Sequence, residues 1–345
     1  MRELNLSNIN VRTDLIIDDF EKLEDLEKIK YQKREVSEDI IIEELVLDKN
    51  TSTILNKKEG IYKNISFKDI TDSTNYDKVL DAFVKTFTKL LEELKLDKKK
   101  SCMIVGLGNR KSTPDAIGPK TLDNIIVTHH LLEFGPLEEN YRDVAILEPG
   151  VKGTTGLDAK DHIDGLVKII KPDFLIVIDA LKTTSTSRMV KTIQISDAGL
   201  IPGSGVNNNR KELNKNNLNI PTVAIGVPSI IDSTTIVFDT LNYLLKKVSY
   251  EKDNANSYRN KLAITNDFEN YKDTLNDEEK EKILGMLGTM DDDDLKTLLN
   301  EVLNPLDYNL MVTPKEIDFL VEKITKLLAE GLNISLHKIK RQNYT

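Results

Sequence analysis

The sequence predicts an α/β fold in which helices cover a central, mainly parallel sheet, with further segments added at the N-terminal and C-terminal ends. The first observation is a series of short apolar runs between residues 102 and 231, each rich in Val and Ile and bounded by Gly, Pro or Asp. The second is that stretches with helical periodicity alternate with these runs. Such runs are typical of strands that are buried on both faces of a parallel sheet.

The N-terminal mixed segment, residues 15–100, is highly charged and carries only short apolar runs. IIIEELVL (40–47) predicts a strand, although a helical turn also fits these residues. Residues 76–96 predict a helix because six apolar side chains fall on one stripe. These are Val79, Phe83, Phe87, Leu90, Leu91 and Leu94. A short basic linker then leads into the core, residues 101–250.

Five apolar runs in the core predict strands, and three periodic stretches predict the helices that cover them. The strands are CMIVGLG, DVAILEPG, FLIVIDAL, KTIQIS and TVAIGVPSII. The helices are residues 119–133, 158–171 and 233–247. The polar, Asn-rich stretch 251–275 predicts a loop or linker between the core and the rest of the chain.

The C-terminal region, residues 276–345, predicts helices. The acidic run Asp291–Asp294 favours a helix start over a metal site, because acids stabilise the first turn of a helix. Thr313 followed by Glu316 forms a capping-box pattern before the last apolar helix. Gly331 is the expected end of that helix.

Charge and composition exclude several classes of protein. With a net charge of −9 and a pI near 5.2, the chain shows no sign of a basic nucleic-acid surface, so we expect no direct nucleic-acid partner. No apolar run approaches the roughly 18 residues that span a membrane, and the N-terminus lacks the apolar core of a secretory signal. The single cysteine, Cys102, excludes an intrachain disulfide and lies in an apolar run, which favours a core residue over a nucleophile. We therefore expect a soluble, intracellular protein.

The stretch VGLGNRKSTPDAIGPK, residues 105–120, begins like a nucleotide-binding turn. The dinucleotide fingerprint needs a third Gly where this chain has Lys111, and the Walker A pattern is absent. Pro114 also removes one of the backbone N–H groups that a phosphate loop would use. A nucleotide-binding or structural α/β module is therefore the weaker interpretation.

Two acids follow apolar runs of the predicted sheet. Asp115 lies in the loop that leaves CMIVGLG, and Asp179 comes directly after FLIVI. Catalytic groups of parallel α/β sheets gather at the carboxyl ends of the strands. Two carboxylates that meet there could divide acid and base roles. The alternative is that each acid caps a turn or a helix, and the residues alone leave both readings open.

A later loop, GSGVNNNRKE, carries further candidate groups. Gly203 and Ser204 are small and flexible, and Arg210 and Lys211 could donate hydrogen bonds to an oxyanion or a carboxylate. The same residues could form only a surface turn. In GVPSIIDS, Asp232 is the expected N-cap of the following helix.

Long motifs of the chain resemble those of the germination proteases of spore-forming bacteria, endopeptidases that degrade the small acid-soluble proteins protecting spore DNA. The motifs occur in the same order along almost the whole chain. They are NINVRTDL, VGLGN with STPDAIGPK, LEPGVKGTTG, PDFLIVIDAL, TIQISDAGLIPGSGV, RKELN, VAIGVPSIIDS and NPLDYNLMVTPKEIDF. The resemblance implies a protease of the forespore or spore-core cytoplasm with these small proteins as its substrates.

The resemblance also implies an atypical aspartic-type protease whose two essential acids are Asp115 and Asp179. It implies a three-layer α/β/α fold similar to that of the hydrogenase-maturation peptidases, whose G-[IL]-G-N loop has an acid six residues after the Asn. Asn109 and Asp115 keep that spacing. Those peptidases hold a metal through two acids and a later histidine, whereas this chain has no histidine between His162 and His337.

We therefore expect catalysis without a metal or any other cofactor. One carboxylate activates water and its partner carries the proton, with Asn109 and the GSGVNNNR loop as candidate oxyanion donors. A metal-dependent maturation-type peptidase is the alternative.

The resemblance further implies an inactive homotetrameric zymogen that removes its own N-terminal segment. In VRTDLIID, Asp14 and Leu15 form an acidic–aliphatic junction like those cut in the substrate proteins. We predict cleavage between Asp14 and Leu15, which makes residues 1–14 a propeptide and Leu15 the mature N-terminus.

Overall fold

The structure is a computed structural model, and it describes residues 13–21, 29–200, 213–254, 275–303, 310–337 and 339. The chain divides into two compact units. The larger is built from residues 13–230 and 313–345, and the smaller centres on Ile231–Val312. The strands before residue 100, the core and the last helix all belong to the larger unit, and our division of the chain into five segments stays a prediction.

A mixed sheet forms the centre of the larger unit, with the strand order β1-β2-β3-β7-β8-β6-β4-β5. The strands are β1 (Lys30–Ser37), β2 (Ile40–Leu47), β3 (Gly60–Phe67), β4 (Cys102–Gly106), β5 (Val144–Leu147), β6 (Phe174–Thr183), β7 (Thr192–Ser196) and β8 (Thr222–Asp232). β4 pairs in parallel with β5 and β6, whereas β1, β2, β3, β7 and β8 follow one another antiparallel. The antiparallel arrangement of β1 and β2 follows from their two-residue connection, which is too short for a crossover.

Helices cover both faces of this sheet and give three layers. The helices of the larger unit are α1 (Ile16–Phe20), α2 (Lys49–Leu55), α3 (Ser73–Glu93), α4 (Ile117–Leu122), α5 (Lys152–Thr155), α6 (Ala159–Ile170), α7 (Lys215–Leu218) and the C-terminal helix (Ile317–His337). Successive side chains of a strand point to opposite faces. Accordingly, Ile104 and Ile176 pack with α3, α4 and the C-terminal helix, while Val105 and Val177 pack with α6 and α7. The predicted α/β fold is confirmed, and the predicted parallel pairing lies in its β6-β4-β5 part.

The predicted helix 119–133 is wrong in its extent. α4 ends at Leu122, and a separate 3₁₀ helix covers His129–Phe134. The reason is the carboxamide of Asn333, which accepts a hydrogen bond from Ile126 N–H (2.9 Å) and donates one to Asn124 O (2.8 Å). These backbone groups are paired with a distant side chain instead of continuing the helix.

The predicted end of the last helix at Gly331 is also wrong, because the C-terminal helix continues to His337. A Cβ at position 331 would lie 2.4 Å from Cδ1 of Phe83. Gly331 therefore serves close packing of the C-terminal helix against α3. This helix begins at Ile317, whose N–H donates to Pro314 O, so it starts later than the capping-box pattern suggested.

The described residues of the smaller unit form helices and one short strand pairing. Its helices are α8 (Ser233–Asp253), Asp277–Leu284 and Asp292–Leu303, and β9 (Met311–Val312) pairs antiparallel with the last two residues of β8. Asp232 caps α8 by accepting the N–H of Thr234 at 3.1 Å, as predicted. Asp291 accepts the N–H groups of Asp293 and Asp294, which confirms the acidic run as a helix start. Within the described ranges, no helix is long and apolar enough to cross a membrane.

Candidate active site

The carboxyl ends of β4 and β6 lie side by side in the larger unit. Gly106 at the end of β4 is opposite Ile178 of β6, and the N–H of Leu107 donates to Ile178 O at 2.8 Å. Asp179 is the next residue of β6. The loop that leaves β4 therefore starts beside Asp179.

The loop after β4 folds back on itself around Asp115. The N–H of Asn109 donates to Asp115 Oδ2 (2.8 Å) and to Asp115 O (3.1 Å). Asp115 N–H donates to Ser112 O (2.8 Å), and residues Thr113–Asp115 form a 3₁₀ turn. Asn109 Oδ1 accepts the N–H of Lys111 at 3.1 Å. Asn109, a predicted oxyanion donor, is thus placed to hold Asp115 through its backbone and to shape the turn through its side chain.

Glycines allow this loop to close. Gly108 has a φ of +117°, and a Cβ there would lie 1.9 Å from Asp115 O and 3.2 Å from Asp115 Oδ1. A Cβ at Gly118 would lie 2.3 Å from Leu107 O and 2.5 Å from Ile178 O, so the start of α4 lies directly on the ends of β4 and β6. The space beside Gly108 is occupied by the backbone of Asp115, which is a further argument against a phosphate loop.

Asp179 is almost fully buried, with 6% of its surface exposed, and its Oδ1 accepts the N–H of Ala180 at 2.9 Å. By strand alternation it shares a face of β6 with Val177 and Leu181. The 3₁₀ turn Thr113–Asp115 contacts β6. The structure therefore brings the half-buried Asp115 and the buried Asp179 to the same edge of the sheet.

Two further residues, which the sequence did not predict as part of the site, fix the loop. Ser229 of β8 is fully buried, and its hydroxyl donates to Pro114 O at 2.5 Å. The Arg110 guanidinium contacts Glu148 (2.6 Å) and Asp123 (2.8 Å). A hydroxyl within an otherwise apolar run is the only signal that the sequence offers for Ser229, and nothing marks Arg110.

The predicted cleavage junction lies against the same strand. Asp14 N–H donates to Lys182 O, and Asp14 Oδ2 accepts Lys182 N–H, both at 2.9 Å. Leu15 is fully buried in an apolar cluster that includes Leu181. Lys182 is three residues beyond Asp179, or about 10 Å along a strand.

The remaining predicted groups are those of the GSGVNNNRKE loop and the thiol of Cys102. Gly203, Ser204, Arg210 and Lys211 lie outside the described residues. Burial raises the pKa of the Cys102 thiol to about 12, which leaves no thiolate for nucleophilic attack near neutral pH.

Two described histidines bind backbone carbonyl groups. His162 Nδ1 lies 3.0 Å from Pro149 O, and His337 Nε2 lies 3.0 Å from Ile126 O. Across the part of the chain that the structure describes, no group of three or more His, Cys, Asp or Glu residues is placed to hold a metal ion. The described donors therefore do not fit a site of two acids and a histidine.

Comparisons with known proteins identify the family. A protein-family model described as germination protease matches residues 8–345. The germination protease of Bacillus cereus (strain 03BB102) is 40% identical over 351 residues, covering 97% of this chain and 95% of that protein. That of Geobacillus sp. (strain WCH70) is 40% identical over 367 residues, covering 100% of this chain and 98% of that protein. The chain belongs to the germination protease family.

As a member of the germination protease family, the chain is a protease, a hydrolase of peptide bonds. The germination protease of Bacillus velezensis is 39% identical over 360 residues, which cover 99% of this chain and 97% of that protein. Among solved structures, the [NiFe] hydrogenase maturation protease HycI from Thermococcus kodakarensis KOD1 matches with 21% identity and a TM-score of 0.25, covering 38% of this chain and 75% of that chain. Among the described residues, the turn that carries Asp115 contacts the strand that carries Asp179.

Proposed function

We propose that this chain is an endopeptidase that starts the degradation of small acid-soluble spore proteins, and that Asp115 and Asp179 carry out the hydrolysis. Its membership of the germination protease family supports the class of reaction. The observation that carries the choice of residues is the contact between the turn of Asp115 and the strand of Asp179. We place the enzyme in the cytoplasm of the forespore and spore core.

The pair performs an acid–base reaction on water and the peptide bond. One carboxylate removes a proton from water, whose oxygen then attacks the peptide carbonyl carbon. The other carboxyl group supplies the proton that the leaving amine needs when the C–N bond breaks. The hydroxyl of the water is added to the carbonyl carbon and a proton to the amine, so one water molecule is consumed for each bond that is cut. No step needs a metal ion, and the described donors do not fit a three-ligand site.

We also propose that the chain is made as a homotetrameric zymogen whose residues 1–14 are removed by self-cleavage between Asp14 and Leu15. Support comes from the junction itself, which is held by Lys182 on the strand that carries Asp179. N-terminal sequencing of the purified, aged protein should then yield Leu15 as the first residue. Another first residue, or an intact chain with full activity, would contradict this cleavage.

The catalytic proposal is tested by digestion of a purified small acid-soluble spore protein. Asp115→Asn and Asp179→Asn should each lower the rate at least about a thousandfold, because each removes a group that acts on the reacting atoms. Asp81→Asn is the matched control, since Asp81 is exposed on α3. Circular dichroism should show that all three variants stay folded. Wild-type activity in either site variant would refute the assignment.

The metal-dependent alternative is tested with the same digest. Dialysis against a chelator should leave the rate of the wild-type protein unchanged, and metal analysis should find no stoichiometric ion. Loss of activity in the chelator, restored by zinc, would overturn the metal-free mechanism.

A further inference from the structure

The hydroxyl of Thr13 lies at a junction between the N-terminal segment and β6. It accepts the N–H of Leu15 at 3.1 Å and donates to Asp18 Oδ2 at 2.7 Å. The same oxygen lies 3.2 Å from Lys182 O. Thr13 and Asp18 are both buried, with 5% and 3% of their surfaces exposed. One hydroxyl thus links the amide nitrogen of Leu15 to a buried carboxylate.

The carboxylate of Asp18 holds the chain where β6 ends. Its Oδ2 also accepts the hydroxyl of Thr183 (2.8 Å) and the N–H of Thr184 (2.7 Å). Its Oδ1 accepts Nη1 of Arg188 at 2.6 Å. These partners begin four residues after Asp179 in the chain. The position of the β6 end therefore depends on a fully bonded Asp18.

Cleavage between Asp14 and Leu15 changes the partners of this carboxylate. Water adds across the bond, so that Asp14 gains a carboxylate and the nitrogen of Leu15 becomes an ammonium group near neutral pH. Departure of residues 1–14 removes the Thr13 hydroxyl from Asp18 and removes both Thr13 and Asp14 from Lys182 O. Leu15 is fully buried in its apolar cluster, so we expect its side chain to stay there after cleavage.

A buried ammonium group is costly unless it is paired with a carboxylate. The other charged groups around the segment already have partners: Lys57 Nζ lies 3.2 Å from Asp19, and Arg188 contacts Glu21 as well as Asp18. Asp18 loses a donor at the moment when the nitrogen of Leu15 gains charge and hydrogens. The vacated position of the Thr13 hydroxyl lies within hydrogen-bond distance of both.

We propose that the new N-terminal ammonium of Leu15 moves into the position of the Thr13 hydroxyl and forms a buried ion pair with Asp18. Asp18 is then a positioning residue, which acts on the site through the end of β6. The inference rests on the proposed cleavage site. It gives that cleavage a structural consequence, because only a chain that starts at Leu15 places an ammonium at this point.

The test uses three chains that are released from a cleavable fusion, so that no self-cleavage is needed. The first starts at Leu15, the second carries one extra Gly before Leu15, and the third starts at Leu15 with Asp18→Asn. The amino group of the first chain, followed by NMR of ¹⁵N-labelled Leu15, should titrate clearly above the ordinary range of about 7.7–8.0. In the third chain it should return to that range or below. The Gly-extended chain keeps Asp18 and Arg188 intact, so it remains informative if Asp18→Asn fails to fold.

The ion pair also predicts a dependence of stability on pH. An amino pKa that is raised by folding stabilises the protein fully below about pH 8, and the gain is lost as pH rises through the folded value. The Leu15 chain should therefore unfold at a higher temperature than the Gly-extended chain at pH 7, and the difference should vanish at high pH. Equal melting temperatures at pH 7, together with an ordinary amino pKa, would overturn the inference.

Substrate digestion by the Leu15 chain separates this inference from the proposed function. Digestion with an unshifted amino pKa would reject the ion pair and leave the protease assignment intact. A raised pKa in a folded chain that digests nothing would reject the assignment and leave the ion pair intact.

Discussion

Replacing Gly108 with Ala should damage both the fold and the presentation of Asp115. At a φ of +117°, a side chain costs about 1–3 kcal/mol in backbone strain. The new Cβ would lie 1.9 Å from Asp115 O, so the two groups must separate by roughly 1.5 Å to reach ordinary contact. Such overpacking adds about 1–3 kcal/mol. We therefore expect the free energy of unfolding to fall by about 2–6 kcal/mol.

The same displacement acts on catalysis, because the loop that moves is the one that holds Asp115. A misplacement of about 1 Å at a reacting group can cost roughly a hundredfold in rate. Urea denaturation measures the loss of stability, and digestion of the spore protein under native conditions measures the loss of rate. Gly165→Ala in α6 is the matched control: a Cβ there meets no described atom within 4 Å, and the helix should gain about 0.5–1 kcal/mol. Unchanged stability and rate in Gly108→Ala would refute the reasoning.

Three further changes probe other contacts. Gly331→Ala should lower the free energy of unfolding by about 1–3 kcal/mol, because its Cβ would lie 2.4 Å from Phe83; equal urea midpoints for variant and wild type would contradict this packing. Ser229→Ala should lower the digestion rate as well as the free energy of unfolding, because it removes the donor to Pro114 O in the loop of Asp115. A free energy of unfolding lowered by about 1 kcal/mol with an unchanged digestion rate would show that this hydrogen bond does not position the acid. Burial lowers the pKa of His337, so its contribution to the free energy of unfolding should be fully present above about pH 6.5 and be lost as the pH falls below that value. His337→Gln should make the free energy of unfolding less dependent on pH between about 7 and 5. The same dependence in both proteins would contradict this prediction.

Local patterns were enough to predict most elements of the sheet and its covering helices. β2 lies at Ile40–Leu47, where the apolar run indicated a strand, and α3 buries Phe83 and Phe87 from the predicted stripe. These patterns depend on neighbours within one or two turns of the chain. The errors arose where distant residues decide: Asn333 ends the helical path after α4, and Gly331 fits against α3.

The same limit applies to the site. Asp115 and Asp179 could be proposed from the sequence because the carboxyl ends of neighbouring parallel strands meet at one edge. The support of Ser229 could not, because its hydroxyl binds a backbone carbonyl 115 positions away, and a carbonyl leaves no trace in the sequence. The burial of Leu15 beside β6 was equally out of reach, since an acidic–aliphatic junction reads the same on the surface or in a core.

The central claim is that Asp115 and Asp179 act together on one peptide bond, and a double-mutant cycle tests it most directly. Digestion rates would be measured for wild type, Asp115→Asn, Asp179→Asn and the double variant, with a fluorescent substrate sensitive enough to follow the residual reaction. Residues that act as a unit lose their combined effect when either is removed. The account predicts that the double variant is no slower than the slower single variant. Losses that multiply in the double variant, or a single variant that keeps wild-type activity, would contradict it.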